Sequence, residues 1–396
     1  MAENIYNSPL LASDSPLDKH SKEVIQKIYD SEYTKSQDLP TDAPLDSKRR
    51  IRVEYTWDEM WSQEKAITNT LESEKKTIAE VADYFGHLDL DHIYMTGCGD
   101  SVASLIGVRE IFEQLLGIPC EPIQALDFTY YFHRPVNPRT LVITLSSSGA
   151  TTRTVEAMMI GRALGAHTLA LSNTLGSPLM VESDRGLMIQ AERRGWPTQS
   201  STAAMAILVE LALGMARAKG FEEKKVFNLE KSFRIIPGLM TSTLKNVNNT
   251  IKRIAERESQ KNVYLYTGAG SAFASALFGA AKIKECSPNH GIAIPLEEFH
   301  HYNSQKAGDP LFLLAPKGPS VPRALDTLHE GKRWGGNVYS VVDESDAKLF
   351  AESDEVIGLS WVPEVFSAFI YSMPVQLFAY YVAMENFRLA ELEQKK

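Results

Sequence analysis

From Trp57 to Phe85 the chain reads WDEMWSQEKAITNTLESEKKTIAEVADYF, and Met60, Ile67, Leu71, Ile78, Val81 and Phe85 fall mostly three, four or seven positions apart. That spacing predicts a helix with one apolar face. The pattern then changes. DHIYMTG is a short apolar run ending in a glycine turn, and VASLIGVREIFEQLL is helical and closed by Gly117. IPCEPIQ and RTLVITL read as strands, TRTVEAMMIGRALG as a helix, and HTLALSN as another strand. Near-continuous apolar strands alternating with helices predict a parallel sheet covered by helices on both faces.

The rhythm occurs twice. Thr96, Gly97, Gly99, Ala103 and Ser104 match Thr267, Gly268, Gly270, Ala274 and Ser275 at one offset of 171 residues. Further on, RTLVITL corresponds to DPLFLLAP and GAHTLALSN to GGNVYSVVD. The repeat predicts an α/β protein of two domains related by internal duplication. Its expected layout is a polar N-terminal arm over 1–50, a lead-in helix over 51–86 and a first domain over 87–220. A helical linker follows over 221–260, then a second domain over 261–390. Within the arm a short helix is expected around Lys22 to Tyr33. Two readings of the arm stand: a partly ordered segment, or one that packs on a partner subunit.

Composition narrows the class. Of 396 residues, 44% are apolar and 23% charged, enough for a full core. A net charge of -9 argues against nucleic acid or an anionic membrane as partner. Cys98, Cys120 and Cys286 are odd in number, widely spaced and free of a CxxC pair. With no signal peptide in view, this predicts a reduced, cytoplasmic protein with no metal site. No membrane-spanning run is expected.

The candidate chemistry lies where RTLVITL runs into SSSGATT. In a parallel sheet, ligands bind beyond the carboxyl ends of the strands. Ser146, Ser147, Ser148 and Thr151 stand there, ahead of a helix whose first N–H groups are free to face an anion. One N-cap would account for one hydroxyl, not four. The second copy has APKGPSV at the matching place. A cup needed only for folding should survive in both copies, so its presence in one points to a ligand. On the helix GAAKIKE, Lys282 and Glu285 are three apart and share a face.

TGCGDS, ITLSSSGATTRT, KIKE, EEFHH and YSMPVQLFAYYVA together resemble the tandem sugar isomerase (SIS) domains of phosphosugar isomerases. The isomerase half of glucosamine-6-phosphate synthase is among them, and the likeness covers about residues 57 to 388. It implies two three-layer αβα domains, each with a central parallel, flavodoxin-like sheet. It further implies that Ser101, Ser146, Ser147, Ser148 and Thr151 hold the sugar phosphate, with further contacts from Ser201 and Thr202. Glu285 matches the family's catalytic glutamate, Lys282 a lysine of the sugar site, and His301 the ring-opening histidine. By the same analogy that histidine comes from the neighbouring subunit of a homodimer. His300 stands where the synthase has lysine, and Glu298 is expected nearby in an orienting role.

Three departures are visible. Ala203 and Gly279 stand where the synthase carries a lysine and a glutamate, and the sequence closes at ENFRLAELEQKK without the synthase's lysine-bearing tail. No cysteine precedes Cys98 to serve a glutaminase. Synthesis of glucosamine 6-phosphate is therefore not expected.

The expectation is an isomerase interconverting an aldose and a ketose that bear a terminal phosphate or similar anion, through an enediol. A carbonyl already acidifies the adjacent C–H, so no cofactor is required. A deglycase or deaminase of a phosphorylated ketosamine shares the same base and stays open, as does a non-catalytic sugar-phosphate sensor. The substrate expected is a small sugar phosphate or a sulfonated sugar. Arg153, Arg193 and Arg194 could bias the choice between those anions, but each is read first as a surface charge.

Overall fold

A computed structural model describes residues 10–396; the first nine residues of the polar arm lie outside it. Among the described residues, ten strands form two five-stranded sheets in which every neighbouring pair is parallel. The first contains His92–Gly97 (β1), Cys120–Gln124 (β2), Thr140–Leu145 (β3), His167–Ser172 (β4) and Arg185–Met188 (β5), in the order β2-β1-β3-β4-β5. The second contains Val263–Gly268 (β6), His290–Pro295 (β7), Pro310–Ala315 (β8), Asn337–Asp343 (β9) and Glu355–Leu359 (β10). Its order is β10-β9-β8-β6-β7. Both sheets thus have the doubly wound order 2-1-3-4-5, whose crevice opens between the first and third strands. β3 and β8 are buried at all six positions, as central strands covered on both faces must be.

Packing divides the described chain into two compact units that cut across the repeat. The first takes in residues up to Leu39, Leu88–Val102 and Ile118–Ile189; the second takes in Pro40–His87, Ala103–Gly117 and Gln190–Lys396.

In the first unit, Tyr94, Phe128, Val142, Val155, Met158 and Ile160 make one buried cluster with Leu17, Ile25 and Ile28. The last three flank or belong to the arm helix Lys19–Ser36, which Asp18 caps by accepting the N–H of Ser21 at 2.8 Å. From Leu10 onward the arm therefore packs on its own chain. Ile25 is wholly buried, and truncating a buried isoleucine to alanine costs roughly 2–5 kcal/mol. The arm helix lies against the helix Thr152–Ala163, which follows β3.

In the second unit the lead-in is two helices, Ser47–Trp61 and Gln63–Gly86, broken at Ser62. The helices Ile236–Glu258 and Ala272–Cys286 pack on the long C-terminal helix Ser367–Gln394, and Gln63–Gly86 packs on Gln199–Ala218. Contrary to the sequence expectation, two stretches, Gln199–Ala218 and Glu364–Gln394, are long and apolar enough to cross a membrane. Their windows are 78% and 89% buried inside the protein, as core helices are.

Candidate active site

Three of the hydroxyls after β3, those of Ser146, Ser148 and Thr151, cluster around Ser146 as an open ring. Ser146 Oγ lies 2.9 Å from Thr151 Oγ1 and 3.4 Å from Ser148 Oγ, and Ser148 Oγ accepts the N–H of Ala150 at 3.3 Å. Thr151 is the N-cap of Thr152–Ala163 by position, yet its side chain makes no capping bond. Its hydroxyl turns to Ser146 instead, so capping does not explain this cluster. The loop backbone is pinned. The Ser146 N–H donates to Leu171 O, and the Ser147 carbonyl accepts from Asn173 N and the hydroxyls of Ser172 and Thr174. Gly149 sits at φ +60, where a Cβ would lie 1.9 Å from Ser177 Oγ. Only glycine fits there.

Ser101 stands at the end of β1, across the crevice between β1 and β3. Gly97 pairs with Leu145, and a Cβ on Gly97 would come within 2.7 Å of Ser101 Cβ and 2.8 Å of Leu145 O. Ser101 and the ring thus occupy the switch point of the first sheet, where such folds bind ligands.

Glu32 was not singled out in the sequence. Its carboxylate, on the arm helix, accepts from Thr152 N at 3.0 Å and from the Thr152 hydroxyl. It thereby occupies the first turn of the helix behind the ring. Arg153, read from sequence as a surface charge, is half-buried. It pairs with Glu156, lies 5.2 Å from the Tyr130 ring centroid and donates to Leu10 O at 2.9 Å.

The matching crevice of the second sheet, between β6 and β8, is acidic. A Cβ on Gly318 would lie 2.1 Å from Glu364 Oε2, and one on Gly270 would lie 3.6 Å from Glu364 Oε1 and 3.9 Å from Glu110 Oε2. Ser271 Oγ donates to Glu110 at 3.3 Å. Burial, reinforced by the Glu110 charge, raises the Glu364 carboxyl above its ordinary range. The second crevice is thus lined by two carboxylates, Glu110 from the first copy and Glu364 from the second, where the first crevice has hydroxyls.

Lys282 and Glu285, one turn apart on Ala272–Cys286, form an ion pair. The Lys282 side chain is 1% exposed and that of Glu285 26%. A buried ammonium is costly without a partner, so the lysine fixes the carboxylate and leaves part of it open. Gly279, one turn before Lys282, faces Tyr266: a Cβ there would lie 2.6 Å from two ring carbons. The Tyr266 ring fills the space that a glutamate would need. Ala203 is fully buried.

The remaining predicted residues are dispersed. His301 follows the turn Glu298–His300, is 58% exposed and pairs with Glu297 at 3.3 Å. His300 is anchored by Glu330 and by Thr327 at 2.9 Å, a structural role. Ser201 is buried at the start of Gln199–Ala218. The Thr202 hydroxyl is engaged by Gln63 Oε1 at 3.1 Å and by the carbonyls of Thr198 and Gln199.

Arg52, on the helix Ser47–Trp61, was also missed. Its guanidinium lies 3.6 Å from the centroid of Trp196. Val53 and Cys286, the chain neighbours of Arg52 and Glu285, share one buried cluster with Trp196. Burial lowers the Arg52 pKa, and the Glu285 charge is the largest influence opposing that. The Trp196 segment is held by Glu59, which accepts from Arg194 N at 2.5 Å and Gly195 N at 2.9 Å, and by Thr56, which accepts from Trp196 N at 2.8 Å. Arg194, also read as a surface charge, is exposed and lies 3.7 Å from the Tyr55 ring centroid.

Comparison with known proteins gives concordant results. The family described as SIS domain matches residues 88–216 and again residues 258–385. The glutamine–fructose-6-phosphate aminotransferase (isomerizing) of Escherichia coli K12 is 30% identical over 362 residues, 88% of this chain and 59% of that protein. The Yersinia pestis protein of the same name is 30% identical over 341 residues, 83% of this chain and 56% of its own. The chain thus spans less than two thirds of these relatives. Among solved structures, the C-terminal domain of glucosamine-fructose-6-phosphate aminotransferase from Francisella tularensis superposes with a TM-score of 0.75. It is 23% identical, covering 84% of this chain and 96% of that one. Glucosamine-6-phosphate deaminase from Thermotoga maritima gives 0.66 at 20% identity, over 83% and 94%. At these identities the structures speak for the fold.

Proposed function

Since the chain belongs to the SIS-domain family and carries the domain twice, we propose that it is an aldose–ketose isomerase acting on a sugar with a terminal phosphate or similar anion. The observation that carries the reading is the Lys282–Glu285 pair: a carboxylate held by a buried ammonium and still partly open. Glu285 removes the proton from C2 of the aldose, or C1 of the ketose, and the electron pair passes into a C1–C2 enediol. Returning the proton to the other carbon, with a hydroxyl proton moving between O1 and O2, completes the interconversion with atoms balanced. Arg52 supplies positive charge on the Glu285 side, where an oxyanion develops. The hydroxyls of Ser101, Ser146, Ser148 and Thr151, with Ser147 beside them, anchor the terminal anion. His301 serves ring opening. Its exposure suits a residue offered to the neighbouring protomer of a homodimer.

The curated relatives carry an isomerizing activity in their names, which supports sugar-phosphate chemistry at this pair. The Thermotoga maritima deaminase shares the fold and keeps open a second reading, deamination or deglycation of a phosphorylated ketosamine through the same base. Fructose 6-phosphate incubated in deuterated water tests the assignment. The wild type should place deuterium at C1 or C2, and Glu285→Gln should lower that rate by 10²-fold or more while retaining binding. Undiminished exchange in the variant would sink the role of Glu285. Product analysis with an amino-sugar substrate separates isomerisation from deamination.

A further inference from the structure

We propose that Glu32 sets the charge of the anion accepted by the hydroxyl ring, favouring a terminal group of one negative charge over one of two. This rests on the ring being the substrate's anion site. Ordinarily the first N–H groups of the helix after the ring would be free for the ligand. Here Thr152 gives both its N–H and its hydroxyl to Glu32. The contact spans 120 residues of sequence. It is held by the arm helix, whose Ile25 and Ile28 are buried in the first unit's core.

The carboxylate is therefore a fixed charge one residue from Thr151, a member of the ring. Nearby groups do not cancel it. On the helix behind the ring, Arg153 is engaged by Glu156. At the end of β1, burial raises the Cys98 thiol pKa and keeps it neutral. From the aromatic segment after β2, Tyr130 contributes a hydroxyl that donates to Leu10 O. Among the described residues Glu32 forms no ion pair of its own.

A second anion in the ring is repelled in proportion to its charge. A sulfonate carries one charge at neutral pH. A phosphate monoester carries between one and a half and two, and approaches two by pH 8. The extra charge, near a carboxylate hydrogen-bonded to the residue after Thr151 in partly solvated protein, should weaken binding by about tenfold. A purely structural cap would impose no such preference, because a glutamine would accept the same two hydrogen bonds.

The test is calorimetric titration of the full chain and of Glu32→Gln at pH 8, with glucose 6-phosphate and 6-deoxy-6-sulfoglucose as probes. The wild type should bind the sulfonate more tightly, and the variant should shift the affinity ratio toward phosphate by about tenfold. Glu32→Ala, which removes cap and charge together, should shift the ratio the same way and serves if the first variant folds poorly. If both probes bind and the ratio moves by less than about threefold in either variant, the proposal is overturned and the ring stands. If neither probe binds to wild type or variant, the reading of the ring falls, and the role of Glu32 with it.

Discussion

Replacing Gly149 by alanine tests the geometry of the hydroxyl ring most directly. The residue sits at φ +60, and its new Cβ would meet Ser177 Oγ at 1.9 Å, Ser177 Cβ at 2.4 Å and Ser172 Oγ at 2.8 Å. The loop cannot slide to relieve this. Gly149 N donates to Ser146 O at 2.9 Å, and Gly149 O accepts from Leu179 N at 2.9 Å. A left-handed conformation costs a non-glycine residue about 1–2 kcal/mol, and forcing a methyl into packed surroundings about 1–3 kcal/mol. The expected loss is therefore about 2–5 kcal/mol. The two parts can be separated. Ser177 is buried and its hydroxyl has no partner among the described residues, so Ser177→Gly breaks no hydrogen bond there. In the double variant most of the overlap with Ser177 disappears, leaving the backbone part of about 1–2 kcal/mol and the closer approach to Ser172. Urea unfolding of the four proteins, followed by circular dichroism, measures both parts, and titration with glucose 6-phosphate reads the loss of anion binding. An unchanged denaturation midpoint for Gly149→Ala would refute the reasoning, as would a double variant no more stable than the single.

Gly279→Ala should destabilise by about 1–3 kcal/mol through overlap with the Tyr266 ring; a thermal midpoint equal to wild type would show that the ring does not close that space. Glu364 gives a pH prediction. Its carboxyl is raised in the folded protein by burial and by Glu110, so its contribution is fully present below the unfolded pKa and is lost as pH rises through the folded one. Glu364→Gln should therefore stabilise the protein at neutral pH and lose that advantage at pH 4; a pH-independent difference in thermal midpoint would contradict the assignment.

The central strands were legible because burial on both faces leaves continuous apolar runs: RTLVITL and DPLFLLAP became β3 and β8. The edge strands β5, β7 and β10 were not, because partial exposure mixes their composition, as in HGIAIP with its alternation of buried and open positions. The hydroxyl ring was legible because its members are contiguous and one copy of the repeat lacks them. Glu32 and Arg52 were not. Their partners Thr152 and Trp196 lie far along the chain, and neither pairing leaves a local pattern. The expectation that no stretch would be long and apolar enough to cross a membrane failed on a physical degeneracy: a helix buried in protein and one buried in lipid need the same side chains.

The two crevices share one backbone plan and differ in lining. In the second, Glu110 and Glu364 line the crevice that matches the hydroxyl-lined one, so an anion held by the hydroxyls as proposed would meet two carboxylates there. The chain thus has two crevices of one architecture with different linings, which leaves the second free to diverge in chemistry while the fold stays the same.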